Sequence, residues 1–204
     1  MFYGKKKAVT FSFDDGVTQD IRAIEILNKY GLKATFNLNS AFLGLDGYLD
    51  RNGKRVSHSK VHAGDVKAVY AGHEIACHTL THPNLVELDE KTIVWQVEED
   101  RKILSDISGQ EVVGMAYPCG GVNNDDRVAE IIGRETGVKY SRTTSSDYGF
   151  SRQSNLLRFN PTVYYIDTDK MFELAEKFLE SDFEEDGLLY VWGHTYEMDA
   201  GYIS

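Results

Sequence analysis

The stretch Ala8-Val9-Thr10-Phe11-Ser12-Phe13-Asp14-Asp15-Gly16 decides how this chain is read. Its first six residues are mostly apolar and alternate with the period of a strand, and a glycine turns the chain where they end. Two neighbouring carboxylates therefore stand at the C-terminal tip of a rigid element. Side by side they repel one another unless a positive charge lies close by. Adjacent strand residues face opposite sides, so the pair is expected to do two jobs, one carboxylate binding a metal ion and the other facing the reacting water. The plain alternative is a solvated Asp-Gly turn.

Working outward, strands and helices alternate. Thr18 is placed to cap a helix reaching Tyr30, with Ile21, Ile24 and Leu27 on one stripe and Gly31 past its end. Residues 34–38 read as a second strand, 41–59 as an inserted loop, and 64–70 as a short helix leading to a third strand at 73–77. Asp89 is expected to cap one long helix ending near Ile107, before Gly109. Further strands are expected at 112–117, 138–142, 162–166 and 188–192, with helices over 126–136 and 169–179. Repeated strand–helix units with apolar strands predict an α/β fold on a parallel sheet, open or closed into a barrel. No repeat or linker divides it, so residues 1–204 read as a single domain.

A formal charge of −10 argues against a nucleic-acid backbone or an anionic membrane as partner and favours a neutral substrate. No apolar run approaches the roughly 18–20 residues of a membrane span. The basic segment Lys5-Lys6-Lys7 has no signal-like apolar stretch behind it, which reads as cytoplasmic; a chain already stripped of its leader reads the same way. Two cysteines, Cys77 and Cys119, are too few for a disulfide scaffold. Oligomeric state leaves no trace in the sequence.

The candidate chemistry gathers after strand C-termini, the rim where parallel α/β folds build their sites. His78-Thr-Leu-Thr-His82 brings two imidazoles together if it forms one helical turn, although Pro83 favours a loop there. With Asp15 these would complete the three-ligand set of a catalytic zinc ion. His58-Ser-Lys-Val-His62 has the same spacing, but Lys54, Arg55 and Lys60 surround it, so it reads as surface. His73 reads as structural and Cys77 as a buried thiol. His194, at the end of the last strand, is either a core histidine or a group placed to protonate a leaving group. Trp192 offers an apolar wall or simply packs.

Phe13-Asp14-Asp15-Gly16 followed by His78-Thr79-x-x-His82 resembles the signature of the polysaccharide deacetylases of carbohydrate esterase family 4. Gly72-His73-Glu74-Ile75 is similar to that family's lead-in to the histidine pair. Ala116-Tyr117-Pro118-Cys119-Gly120 resembles its third motif, and the strand into His194 its last. The resemblance implies an irregular (β/α) barrel and metal-dependent removal of N- or O-acetyl groups from an amino sugar, oligosaccharide or polysaccharide. By position it implies that Asp15, His78 and His82 bind zinc or a similar divalent ion, that Asp14 is the general base and His194 the general acid. It also implies that the backbone N–H of Cys119 helps bind the oxyanion, with Tyr117 and Trp192 lining the substrate pocket.

Several positions depart from the family pattern. Ala116 stands where an arginine orienting the base often begins the third motif, and Arg142 is a candidate substitute. Asp147-Tyr148 is the nearest match to the motif that supports the acid histidine. The chain ends about ten residues after His194, so a closing helix of the family is expected to be missing. Two other readings use the same residues: a hydrolase of a small cyclic amide or ureide, and a metal-loaded carbohydrate-binding protein without catalysis.

Overall fold

The computed structural model describes residues 4–202. Strand β1 (Lys7–Asp14) lies near the centre of a seven-stranded parallel sheet and pairs on either side with β2 (Ala34–Leu38) and with the last strand of the chain, Gly187–Gly193. The hairpin β3 (Tyr48–Arg51) and β4 (Lys54–Ser57) stands outside that sheet. The sheet continues with β5 (Glu74–Cys77), β6 (Gly114–Ala116), β7 (Tyr140–Arg142), β8 (Val163–Tyr164) and β9, the 187–193 strand, in the order β7-β6-β5-β2-β1-β9-β8. It curls until one segment joins its edges. Phe159 N–H donates to Ser141 O at 2.9 Å on the β7 side, while Thr162 N–H donates to Tyr190 O at 2.8 Å on the β9 side. The result is the irregular (β/α) barrel.

Alternation along β1 sorts its side chains. Phe13 packs outward, its ring 5.7 Å from Phe36 and 6.4 Å from Tyr165. Ser12 and Asp14 face the barrel interior, where Asn37 Nδ2 donates to both at 2.8 Å. β2 is buried along its whole length, as a central parallel strand covered on both faces must be. The apolar layer is completed by helix stripes. Ala23, Ile24 and Leu27 come from α1 (Asp20–Lys29), and Val128, Ile131 and Ile132 from a helix over 126–135. Each of the buried Val, Ile and Leu side chains contributes about 1.5–3 kcal/mol by leaving water.

The structure corrects several expectations. Thr18 does not cap α1: Gln19 is the N-cap, with no side-chain cap bond, and Thr18 Oγ1 donates to Gln19 Oε1 instead. Ile21 is exposed, because the buried stripe runs through Ala23, Ile24 and Leu27. The 41–59 loop contains a β-hairpin, its turn at Asn52-Gly53 made by two residues of positive φ. The short helix is α2 (Val66–Val69), preceded by a 3-10 turn.

The long helix capped by Asp89 is not uniform. It runs as α3 (Glu90–Val94), a π turn (Trp95–Glu99) and α4 (Asp100–Ser108), and Gly109 ends it at φ 71. A π turn disturbs the regular carbonyl pairing, and here Leu80 N–H donates to Gln96 O at 2.9 Å. α5 (Asp126–Glu135) and α6 (Thr168–Glu180) lie close to where the sequence puts them. After β9 the described chain turns through a 3-10 segment, Thr195–Met198. No helix among the described residues is long and apolar enough to cross a membrane.

Candidate metal centre

Strand β1 delivers Asp14 and Asp15 to the C-terminal rim, and Asp15 does not follow the alternation expected of it. Its backbone is left-handed, at φ 82. Both carboxylates therefore reach one site: Asp14 Oδ2 lies 3.9 Å and Asp15 Oδ1 3.8 Å from His78 Nε2. Gly16 follows at φ 61, where a Cβ would stand 2.8 Å from Leu38 Cδ2, so the turn has no room for a side chain.

The two histidines sit on a loop, not a helical turn, with Thr79 at φ 67 and His82 at φ 58. The π turn holds this loop in place: Thr81 N–H donates to Gln96 Oε1 at 2.9 Å, and Gln96 Nε2 donates to Thr81 Oγ1 at 2.7 Å. Asp100, fully buried, accepts from His78 N at 3.1 Å and from Ser40 N at 2.7 Å; burial pushes its carboxyl up to about 7.

Asp15, His78 and His82 form, among the described residues, the one trio whose ligand atoms all lie within 4.8 Å of each other. His78 Nδ1 is 2.8 Å from the Ala116 carbonyl, which can only accept, so this nitrogen carries the proton and Nε2 presents its lone pair to the carboxylates. Burial holds His78 neutral, with its pKa at about 4. His82 Nε2 is 3.7 Å from Asp15 Oδ1. Gaps of 3.7–3.8 Å are too long for hydrogen bonds and leave room between the groups. One carboxylate oxygen and two imidazole nitrogens therefore fit a divalent cation chemically.

Asp14 has a separate set of partners. Arg142, fully buried on β7, pairs with its Oδ1, and Asn37, directly opposite in the parallel register, donates to the same oxygen. Burial alone would raise the Asp14 carboxyl; the Arg142 guanidinium and neighbouring imidazoles bring it below the ordinary value. The guanidinium lies 4.5 Å from the Trp192 ring centre, which Tyr164 covers in a stack at 4.3 Å. Arg142 thus reaches Asp14 from β7, where it stands beside Ala116 in the parallel register.

His194 faces the same cavity. Glu197 holds it from behind, with Oε1 3.2 Å from Nδ1 and Oε2 accepting from the His194 backbone N–H at 3.1 Å. Tyr164 donates to Glu197 Oε1, and Tyr165 donates to His194 O at 2.6 Å. Gly193 lets that ring approach, since a Cβ there would stand 2.0 Å from it. Burial opposes a charged imidazole, but the Glu197 hydrogen bond and the Asp15 and Asp14 charges outweigh it and raise the His194 pKa.

Asp147 and Tyr148 do not support His194. Asp147 accepts instead from Gly149 N and Gln153 Nε2 at 2.9 Å, in a separate small depression. The sequence signal for the true partner was local: a carboxylate three residues after the histidine. Tyr117 is fully buried and spends its hydroxyl on Leu157 O at 2.8 Å, so only its flank meets the cavity. Cys119 lines the cavity at φ 67, its sulfur 3.8 Å from His82 Nδ1. Cys77 is buried and donates to Gly114 O at 3.3 Å, and His73 is held between Ala34 N and Asn28 Oδ1 at 3.2 Å. His62 is exposed, whereas His58 meets Asp15 Oδ2 at 3.1 Å, against the surface reading of that pair.

Asp14, Asp15, His78, His82, Cys119 and His194 open into one cavity of about 650 Å³. The family model described as polysaccharide deacetylase matches residues 3–140, and the chain belongs to that family. Arg142 and His194 lie beyond the matched segment. The peptidoglycan-N-acetylglucosamine deacetylase PgdA of Listeria monocytogenes is 26% identical over 130 residues, 62% of this chain and 24% of the relative. Among solved structures, the Streptococcus pyogenes deacetylase PplD in complex with acetate superposes with a TM-score of 0.61 at 26% identity, over 77% of this chain and 64% of that one. A CE4 family pseudoenzyme from Bacillus anthracis superposes over 98% of this chain and 58% of its own, with a TM-score of 0.59. At 20% identity it shows the fold alone. The chain spans less than half the length of the curated relatives it matches.

Proposed function

We propose that this chain is a divalent-metal-dependent deacetylase that hydrolyses the N-acetyl or O-acetyl group of an amino sugar, oligosaccharide or polysaccharide. The observation that carries this reading is the convergence of one carboxylate and two imidazole ligands, a paired carboxylate and a carboxylate-backed histidine on one cavity. Asp15, His78 and His82 would hold the ion, and zinc suits their donor set. A divalent ion bound there supplies Lewis-acid polarisation of the acyl carbonyl and of water.

The remaining steps belong to the protein's own side chains. Asp14, fixed by Arg142 and Asn37, takes the proton from the attacking water. The backbone N–H of Cys119 stabilises the oxyanion. His194 presents Nε2, because Glu197 occupies Nδ1, and protonates the departing nitrogen or oxygen. Trp192 walls the pocket beside the base. No covalent intermediate with the protein is required.

Zinc content and acetate release from N-acetylchitooligosaccharides, acetylated xylan and a panel of cyclic amides test the proposal. Zinc-dependent acetate release from a sugar is expected. His78→Ala is expected to weaken zinc binding by more than about 100-fold, beyond the loss typical of a partner one step removed from the ion. Hydrolysis confined to the cyclic amides, or full zinc loading in His78→Ala, would overturn the assignment. Complete loading with no hydrolysis of any substrate would favour a binding protein.

The proposed acid makes a pH prediction. His194 must be protonated to act, so its pKa sets the alkaline limb of kcat/KM. Glu197→Gln removes the hydrogen-bonded charge that favours the imidazolium. The limb is expected to move about one pH unit lower, and an unmoved limb would reject His194 as the acid.

A further inference from the structure

The excursion over residues 41–60 returns to the rim and is stitched to both sides of the Asp15-Gly16 turn. Val61 N–H donates to Gly16 O at 3.0 Å, Thr18 N–H to Ser59 O at 2.9 Å, and Lys60 Nζ to the backbone carbonyl of Asp15 at 2.7 Å. It carries His58 to the Asp15 carboxylate, with Nε2 3.1 Å from Oδ2. The two oxygens of Asp15 are thereby divided, since both ligand histidines are measured to Oδ1, at 3.8 and 3.7 Å. We propose that His58 is a positioning residue of the metal centre: its Nε2–H occupies Oδ2 and presents Oδ1 alone to the ion.

This rests on the metal centre proposed above. Lys60 Nζ also lies 3.2 Å from His58 Nε2, but its shorter bond, 2.7 Å, goes to the Asp15 carbonyl. Asp15 Oδ2, as part of an ionised carboxylate, only accepts, so in the proposed arrangement the Nε2 proton goes to that oxygen and leaves no lone pair there for a metal. His58 accordingly stands outside the trio of clustered ligand atoms. Its ring is held edge-on to Tyr196, at 5.0 Å and 86°, and its backbone N–H donates to Gly47 O at 2.7 Å. Lys60, buried, grips the main chain of the same left-handed residue, whose φ of 82 is uncommon outside glycine, though aspartate tolerates it better than most. Orientation of a ligand by a hydrogen bond from behind is worth about 10–100-fold in metal affinity.

Zinc alone, titrated against a chromophoric chelator, provides the test. His58→Ala is expected to raise the zinc Kd about 10–100-fold, whereas His58→Gln, whose side-chain N–H reaches the same oxygen, recovers most of it. The unfolding midpoint of each metal-free variant is measured alongside, and affinities are compared only for folded protein. An unchanged Kd in His58→Ala overturns the proposal, as does an equal loss in His58→Gln, which would leave His58 a space-filling ring. Failure of the wild-type chain to bind zinc would sink the metal centre itself, a result separable from the loss of His58's role alone.

Discussion

Replacing Asp14 by Asn is expected to reduce turnover by about 10²–10⁴-fold, the range a positioned proton acceptor contributes, while zinc still binds. The amide keeps the size of the carboxylate, and its oxygen can still accept from Asn37 and Arg142. What it cannot do is take a proton from water. Asp14 stands outside the trio of clustered ligand atoms, so its loss should separate metal retention from catalysis. Zinc content and kcat measured on one preparation make the check. Turnover near the wild-type value would remove Asp14 as the base.

Arg142→Gln is the second large effect, and it falls on stability. Removing one partner of a fully buried ion pair strands the other, at a cost of about 3–5 kcal/mol. The pH dependence follows from the sign of the Asp14 shift. In the wild-type protein its folded pKa is lowered, so the pair stabilises the fold above the unfolded carboxylate range, and this is lost as acid titrates through the folded pKa. Without Arg142, desolvation dominates and the folded pKa rises above the unfolded one. The stability of the variant should then decline as pH rises from the unfolded carboxylate range towards the raised folded pKa. Urea midpoints across that range measure it, and Asp14→Asn in the same chain should flatten the decline. A pH-independent deficit would mean that Arg142 acts through its stack on Trp192 and not through its charge.

Much of the barrel is legible because its signal is local. The run into Asp14, the burial of 34–38 and the Asp89 and Gly109 ends of the long helix each depend on a few adjacent residues. The His78 and His82 pair is legible from a motif, though its geometry comes from positive-φ turns and not from helical spacing. Long-range pairing is harder to read. Arg142 is a candidate from the missing arginine of the third motif alone; it meets Asp14 across 128 residues, and only the curl of the sheet makes them neighbours. Asn37 reads as an ordinary polar residue until register puts it opposite Asp14.

His58 and Lys60 mislead for a related reason. Three basic residues in a loop suggest a solvated surface, yet the hairpin folds two of the segment's side chains inward, where the Asp15 carboxylate and carbonyl answer them. Asp147 misleads through resemblance, drawing attention from a carboxylate three residues away from His194. The π turn is invisible to apolar periodicity, since Ile93, Val97 and Leu104 stay buried on either reading.

Asp15, Thr79, His82 and Cys119 share one handedness of backbone, with φ between 58 and 82, on three separate loops. A rim shaped this way belongs to its turns as much as to its side chains. Anyone grafting the centre onto another barrel would have to carry the loops across intact; swapping in the same aspartate and histidines on right-handed backbone would aim them elsewhere.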